Sequence, residues 1–298
     1  MRTKSKQYIQ KHDKFIPRKI IKFYLNKQKT YQEIQQISKR LYIQTYRRPL
    51  SLIISIIQPL LWLTLFGALF QYAPIYLFEK LNVQYREFLN PGIIIFTGFN
   101  SSINAGLPII FDREFGFLNR ILISPISNKN SLIYSCILHT WTITTFQILI
   151  ITLITFYKNN NHNTLAISNI ILNFSIITMI ITSISSISIY NAFILPGHIE
   201  FIAITSLFVN LPTLFASTAL APLSFMPTWL QIICCINPLT YAIEIMRNSI
   251  LNQTFNIKTL IINTSWLEIN VQQGIILLIF INVINFLLVK KIIKYKYD

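Results

Sequence analysis

Six windows of 17–26 residues carry no charged side chain: about 50–71, 91–111, 131–156, 165–190, 201–220 and 273–289. A helix needs about 20 mainly apolar residues to cross a hydrocarbon core of about 30 Å. One central charge costs roughly 2.5–3.5 kcal/mol, whereas each Ile or Leu returns only about 0.3–0.6. Each window therefore predicts a membrane-spanning helix. The uncharged run from Phe201 to Ile243 is too long for one span and is interrupted by Pro222, Pro227 and Pro238. It reads as one crossing followed by a broken, re-entrant hairpin on the far face, with Glu244, Arg247 and Lys258 marking the return to water.

The polar stretches have patterns of their own. Thr30 stands three residues before Glu33, the spacing of a capping box, which predicts a helix over 30–47. Tyr31, Ile34, Ile37, Leu41 and Thr45 recur at helical spacing opposite Gln32, Gln35, Gln36, Lys39 and Arg40, so this helix is expected along the inner membrane surface. The pattern fits a lipid anchor and a partner-docking surface equally well. After the second window, Asp112 to Pro125 reads as a short amphipathic helix turning Phe115, Leu118, Ile121 and Leu122 toward membrane or partner. Asp112 and Glu114 are expected at the water boundary beside Arg113, a poor setting for acid/base work. In the third segment Pro follows Asn at 237–238, and Trp229 and Tyr241 suit a membrane interface.

Composition sharpens this picture. The chain is 53% hydrophobic and 12% charged, too few charges to coat a soluble protein of 298 residues. The net charge of +16 is concentrated at the ends of the spans, a distribution that argues against a nucleic-acid-binding domain. With the N-terminus inside, the inner segments hold 21 Lys and Arg and the outer loops five, which orients both termini toward the cytoplasm-like side. Three cysteines, two of them adjacent, read as apolar fillers. The first 48 residues contain no apolar core of a secretory signal. None of the seven glycines is followed by Lys and none forms GxGxxG, so this chain is not expected to bind nucleotide or any other cofactor. No His, Cys or carboxylate set converges at one depth, so neither a metal site nor catalysis is expected. No span carries a central carboxylate, which weakens proton-coupled transport. The 59 Ile and 24 Asn point to an AT-rich genome, organellar or bacterial.

Phe88-Leu89-Asn90-Pro91-Gly92, then Asp112-Arg113-Glu114-Phe115-Gly116, Arg120 and Ser124-Pro125, resemble the central signature of the membrane subunit of type-2 ATP-binding-cassette (ABC) transporters. Asn237-Pro238-Leu239-Thr240-Tyr241 with Arg247 is similar to that family's motif before its last span. The resemblance covers about residues 30–290 and extends to plastid-encoded members in algae. It implies an all-α integral membrane domain of six transmembrane helices with an N-terminal amphipathic connecting helix and a re-entrant hairpin. It also implies a permease subunit of an exporter, forming half of a substrate pathway with a second permease copy. ATP would be hydrolysed on a separate ABC ATPase subunit. On this resemblance residues 30–47 are the connecting helix, with Glu33, Ile37, Arg40 and Leu41. Asp112, Arg113, Glu114, Gly116, Arg120 and Pro125 form the ATPase-coupling segment. Trp229, Asn237, Pro238, Tyr241 and Arg247 form the outer hairpin. A plastid membrane is the expected location, otherwise a bacterial inner membrane. Residues 1–29 and 291–298 stand outside the domain as a basic extension and a basic tail. A scaffold or assembly subunit of a membrane complex is the alternative that the residues leave open.

Overall fold

The computed structural model describes residues 27–70, 85–123, 130–158, 167–194, 208–251, 257–264 and 267–297. A polar helix, α1 (Lys27–Tyr46), precedes α2 (Pro49–Leu69). The second window becomes α3 (Tyr85–Ile103) continued after a short break by α4 (Leu107–Glu114), and α5 (Phe117–Ile123) follows. α6 (Ser131–Lys158) and α7 (Ile167–Ile194) match the third and fourth windows. Residues 208–215 are helical, here α8. Then come α9 (Thr228–Ile236), α10 (Pro238–Leu251), the strands β1 (Leu260–Asn263) and β2 (Glu268–Asn270), and α11 (Val271–Tyr297). Among the described residues five helices are long and apolar enough to cross a membrane, with Glu87–Glu114 counting as one.

Two groups of buried side chains mark the two ends of the bundle. One joins Leu41 of α1, Ile109 and Ile110 of α4, Leu118 of α5, Leu132 and Cys136 at the start of α6, Phe193 at the end of α7 and Val289 of α11. The other includes Ile94 of α3, Ile148 of α6, Ile176 of α7, Leu214 of α8, Leu239 and Met246 of α10, and Val271 and Leu278 of α11. The spans α3–α4, α6 and α7 thus run in alternate directions, and α11 runs parallel to α7. The segments expected to share the inner face, namely α1, the end of α4, the start of α6, the end of α7 and the end of α11, meet at one end.

Hydrogen bonds at its two ends place the bent pair. α9 and α10 meet at 88° across a break at Asn237. Asn237 bonds the carbonyls of Thr213 and Ala216 just beyond α8. Ser249, near the far end of α10, bonds Asn173, and its carbonyl accepts from Asn169, in the first turns of α7. Both ends of α10 therefore lie at the end of the bundle where α7 begins, so the pair folds back and does not cross. The expected re-entrant hairpin is this corner.

Several boundaries move. Residues before Lys27 lie outside the described set, and the helix is already formed at Lys27, so Thr30 sits inside it and is not its cap. Pro91, expected to open the second span, is enclosed in α3, which begins six residues earlier. Of the fifth window, 201–207 lie outside the described residues, and α8 gives way to turns after residue 215. The tail from 291 is continuous with α11, which runs to Tyr297. The paired strands were not foreseen; they are antiparallel, with Ile262 opposite Ile269.

α7 and α11 are joined by polar contacts within an apolar interface: Asn285 Nδ2 donates to Ser183 Oγ at 2.7 Å and Asn282 Nδ2 to Thr182 Oγ1 at 3.0 Å. Such bonds average about 0.6 kcal/mol each in membrane bundles. α2, by contrast, buries only Pro59 and Leu63 and turns Leu61 and Leu65 outward.

Candidate functional site

At the end that gathers the segments expected to face inward, called the inner end, α1 packs lengthwise on α6. Tyr42 Oη meets Thr142 Oγ1 at 2.6 Å, and Thr45 Oγ1 meets His139 Nε2 at 2.8 Å. Leu41 is buried, while Ile37 packs part-buried against the same cluster and Glu33 is half-buried. Tyr31, expected on this apolar face, is 68% exposed.

Arg40 was expected on the polar face. It instead points into the bundle, where its guanidinium pairs with Asp112, 72 residues away, and lies 4.3 Å from the centre of the Phe117 ring. Asp112 is correspondingly buried in the last turn of α4, not at the water boundary beside Arg113. A carboxylate withdrawn from water needs a cation at contact distance, and α1 supplies it. Arg113 serves another element: its Nη1 donates at 3.0 Å to the carbonyl of Ala192 in the last turn of α7, where helical carbonyls lack internal partners. Glu114 and Arg120 are exposed.

Gly116 makes the corner between α4 and α5. Its φ of +71° lies in the left-handed region, and its N–H reaches the Arg113 carbonyl at 3.1 Å, the form in which glycine ends a helix. The stretch expected as one amphipathic helix from Asp112 is thus two helices around a turn. Its apolar residues divide: Leu118 is buried, but Phe115 is 77% and Ile123 84% exposed. Pro125 lies outside the described residues.

At the other end, Arg247 does not mark a return to water. It is buried, pairs with Glu244, donates to the carbonyls of Thr218 at 2.7 Å and Phe88 at 3.4 Å, and lies 3.7 Å from the centre of the Phe88 ring. The cation thereby ties the turn after α8 to the first turn of α3. Gly92 lets those segments touch: a Cβ at 92 would lie 2.6 Å from the Ala219 carbonyl oxygen. Tyr85 Oη donates to Leu220 O at 3.0 Å. Asn237 donates to Thr213 O and Ala216 O, and its Oδ1 accepts from the Leu239 amide as Pro238 opens α10. Trp229 is 62% exposed, as an interface residue would be, but Tyr241 is buried and donates to Cys235 O across the bend.

The Phe88–Gly92 run and Arg247, far apart along the chain, therefore meet in one buried node at the outer end, and the Asp112 segment forms a second one at the inner end. Phe117, Thr218 and Ser188, which complete these contacts or lie between them, were not singled out by sequence. Phe and Thr are ordinary in spans, and only the tertiary arrangement places a cation or a backbone gap beside them.

Residues 32–251 match the family described as ABC-2 type transporter. The chain is 44% identical over 279 residues to the "Putative transport permease ycf38" of Porphyra purpurea, covering 92% of this chain and 94% of that protein. It is 45% identical over 263 residues to the protein of the same name from Cyanophora paradoxa, covering 88% and 89%. With a helical, multi-span architecture and a motif at each end of the bundle, this chain belongs to the ABC-2 type transporter family of membrane permeases.

Proposed function

We propose that this permease is the membrane-spanning half of an ABC exporter, coupled through the α4–α5 corner to a separate ATPase subunit that binds the ATP. The observation that carries the reading is the exposure of Phe115 and Ile123 on a corner braced from within by Arg40–Asp112, Arg113–Ala192 and buried Leu118. Two large apolar side chains beside exposed Glu114 and Arg120, beyond the end of a span, form an anchor surface for a partner protein. Glu33, Ile37, Arg40 and Leu41 on α1 brace that corner as the connecting helix of the domain 30–290, and the outer hairpin closes the far end.

A second permease copy completes the pathway. Asn104 just after α3 and Gln58 on α2 are exposed, and Asn210 binds Asn100 of α3 at 2.6 Å. Amides turned to lipid are costly, whereas amides facing another copy across a hydrated path are satisfied. The inner face carries most Lys and Arg, which orients both termini toward the cytoplasm-like side of a plastid membrane, in keeping with the algal relatives.

The test is ATP turnover in vesicles containing the complex purified from its native membrane. An ATP-binding subunit accompanies the chain, and Phe115→Asp lowers its retention about tenfold or more, as loss of an aromatic anchor does. A native complex without any ATP-binding subunit overturns the coupling reading and leaves a scaffold.

A further inference from the structure

The span Glu87–Glu114 is pinned at its outer end by Arg247 and at its inner end by Arg40, but its ladder of backbone hydrogen bonds is broken between them. From Asn104 to Leu107 the bonds shorten to three-residue turns: Ala105 N–H reaches Ser102 O at 3.1 Å and Leu107 N–H reaches Asn104 O at 3.1 Å. Pro108 contributes no N–H to repair the ladder. The gap leaves the Ile103 carbonyl and the Gly106 amide without helical partners. One side chain fills both roles: Ser188 Oγ of α7 donates to Ile103 O at 2.6 Å and accepts from Gly106 N at 2.9 Å. A side chain inserted in the helical ladder is a recognised cause of bending.

The surroundings show what each side of the break is fastened to. At Gly106 a Cβ would stand 2.6 Å from the Ser188 carbonyl oxygen and 2.9 Å from Ala192 Cβ, so α4 lies directly against α7. Arg113 ties the other end of α4 to the Ala192 carbonyl of the same helix. α4 is thus strapped to α7 at both ends and, through Asp112, to α1. α3 packs on the first half of α7, Ile94 sharing a core with Ile176 and Ile181, and is fastened at its start by Phe88 to Arg247 and by Gly92 to the Ala219 backbone.

We propose that Asn104–Gly106 is a joint dividing the permease into an outer block, α3 with α8–α10, and an inner block, α1 with α4, α5 and the end of α7. Ser188 is the positioning residue that holds the joint. The division goes beyond the coupling reading and exists whether or not an ATPase docks on the corner.

Spin labels test it in the full chain in lipid nanodiscs, with the three native cysteines replaced. Trp229→Cys with Ile123→Cys spans the joint; Tyr46→Cys with Ile123→Cys lies within the inner block. Ser188→Ala broadens the distance distribution of the first pair and leaves the second unchanged. It also speeds amide exchange at Gly106 about tenfold, the factor one lost buried hydrogen bond supports. Ser186→Ala, which removes only a bond to Thr182 O within α7, changes neither pair. Gly106→Ala, forcing α4 off α7, shifts the first pair as a second variant. If Ser188→Ala leaves the spanning pair unchanged, or loosens both pairs equally, the joint is refuted. Neither outcome bears on whether an ATPase binds.

Discussion

Arg247 and Asp112 are charges placed where water does not reach, and each is tolerated because a partner from a distant segment meets it. Removing the guanidinium of Arg247 takes away the cation paired with Glu244 and its bonds to two backbone carbonyls, so Arg247→Ala is expected to cost about 3–5 kcal/mol, the range for breaking a buried pair. Arg247→Lys restores little, since a compact ammonium cannot stack on Phe88 while reaching Thr218 and Phe88 carbonyls together. Thermal unfolding in detergent measures both; a Lys variant with wild-type stability contradicts the planar, multidentate role. At the inner end Arg40 keeps 27% of its side chain exposed, so Asp112→Ala should cost less, about 2 kcal/mol. Glu114→Ala, at an exposed position, should change stability by less than about 0.5 kcal/mol.

At the scale of elements, two glycines set the path of the chain by different means. Gly92 permits close approach: Gly92→Ala must push α3 away from the Ala219 backbone, which has no flexible end to yield. Gly116 permits a left-handed turn in open space, so Gly116→Ala carries only a conformational penalty of about 1–2 kcal/mol. Expression and unfolding temperature separate them: Gly92→Ala fails to assemble, whereas Gly116→Ala folds with a modest loss. Equal effects at the two positions contradict this account. The elements themselves were largely legible in sequence, because a charge-free window of spanning length has few alternatives. The five-residue Asn-Pro-Leu-Thr-Tyr run announced the bend at Asn237. The short strand pair was not legible, since Leu260–Asn263 and Glu268–Asn270 are too short to carry a period and are stabilised by pairing with each other. The break at Asn104–Gly106 was hidden because its repair comes from Ser188, about 80 residues on.

The whole molecule places the two halves of its central signature, Phe88–Gly92 and Asp112–Gly116, at opposite ends of one bundle. Sequence placed them on opposite sides of the membrane, since alternating spans fix the side of every loop. It did not reveal that Arg40 and Arg247 turn inward, because a helical wheel assigns Arg to the polar face and a charge after a long apolar run to water. Burial reverses both assignments once Asp112, Phe88 and Thr218 come within reach. What remains exposed at the inner end, Phe115 and Ile123, is the surface on which the functional reading depends. The most direct measurement is site-specific photo-crosslinking in native membranes, with the reactive group at Phe115, at Ile123 or at Trp229 on the opposite end. Crosslinks from Phe115 and Ile123 to an ATP-binding subunit, with none from Trp229, are the predicted result. The same subunit captured from Trp229 but not from Phe115 or Ile123 would contradict the account.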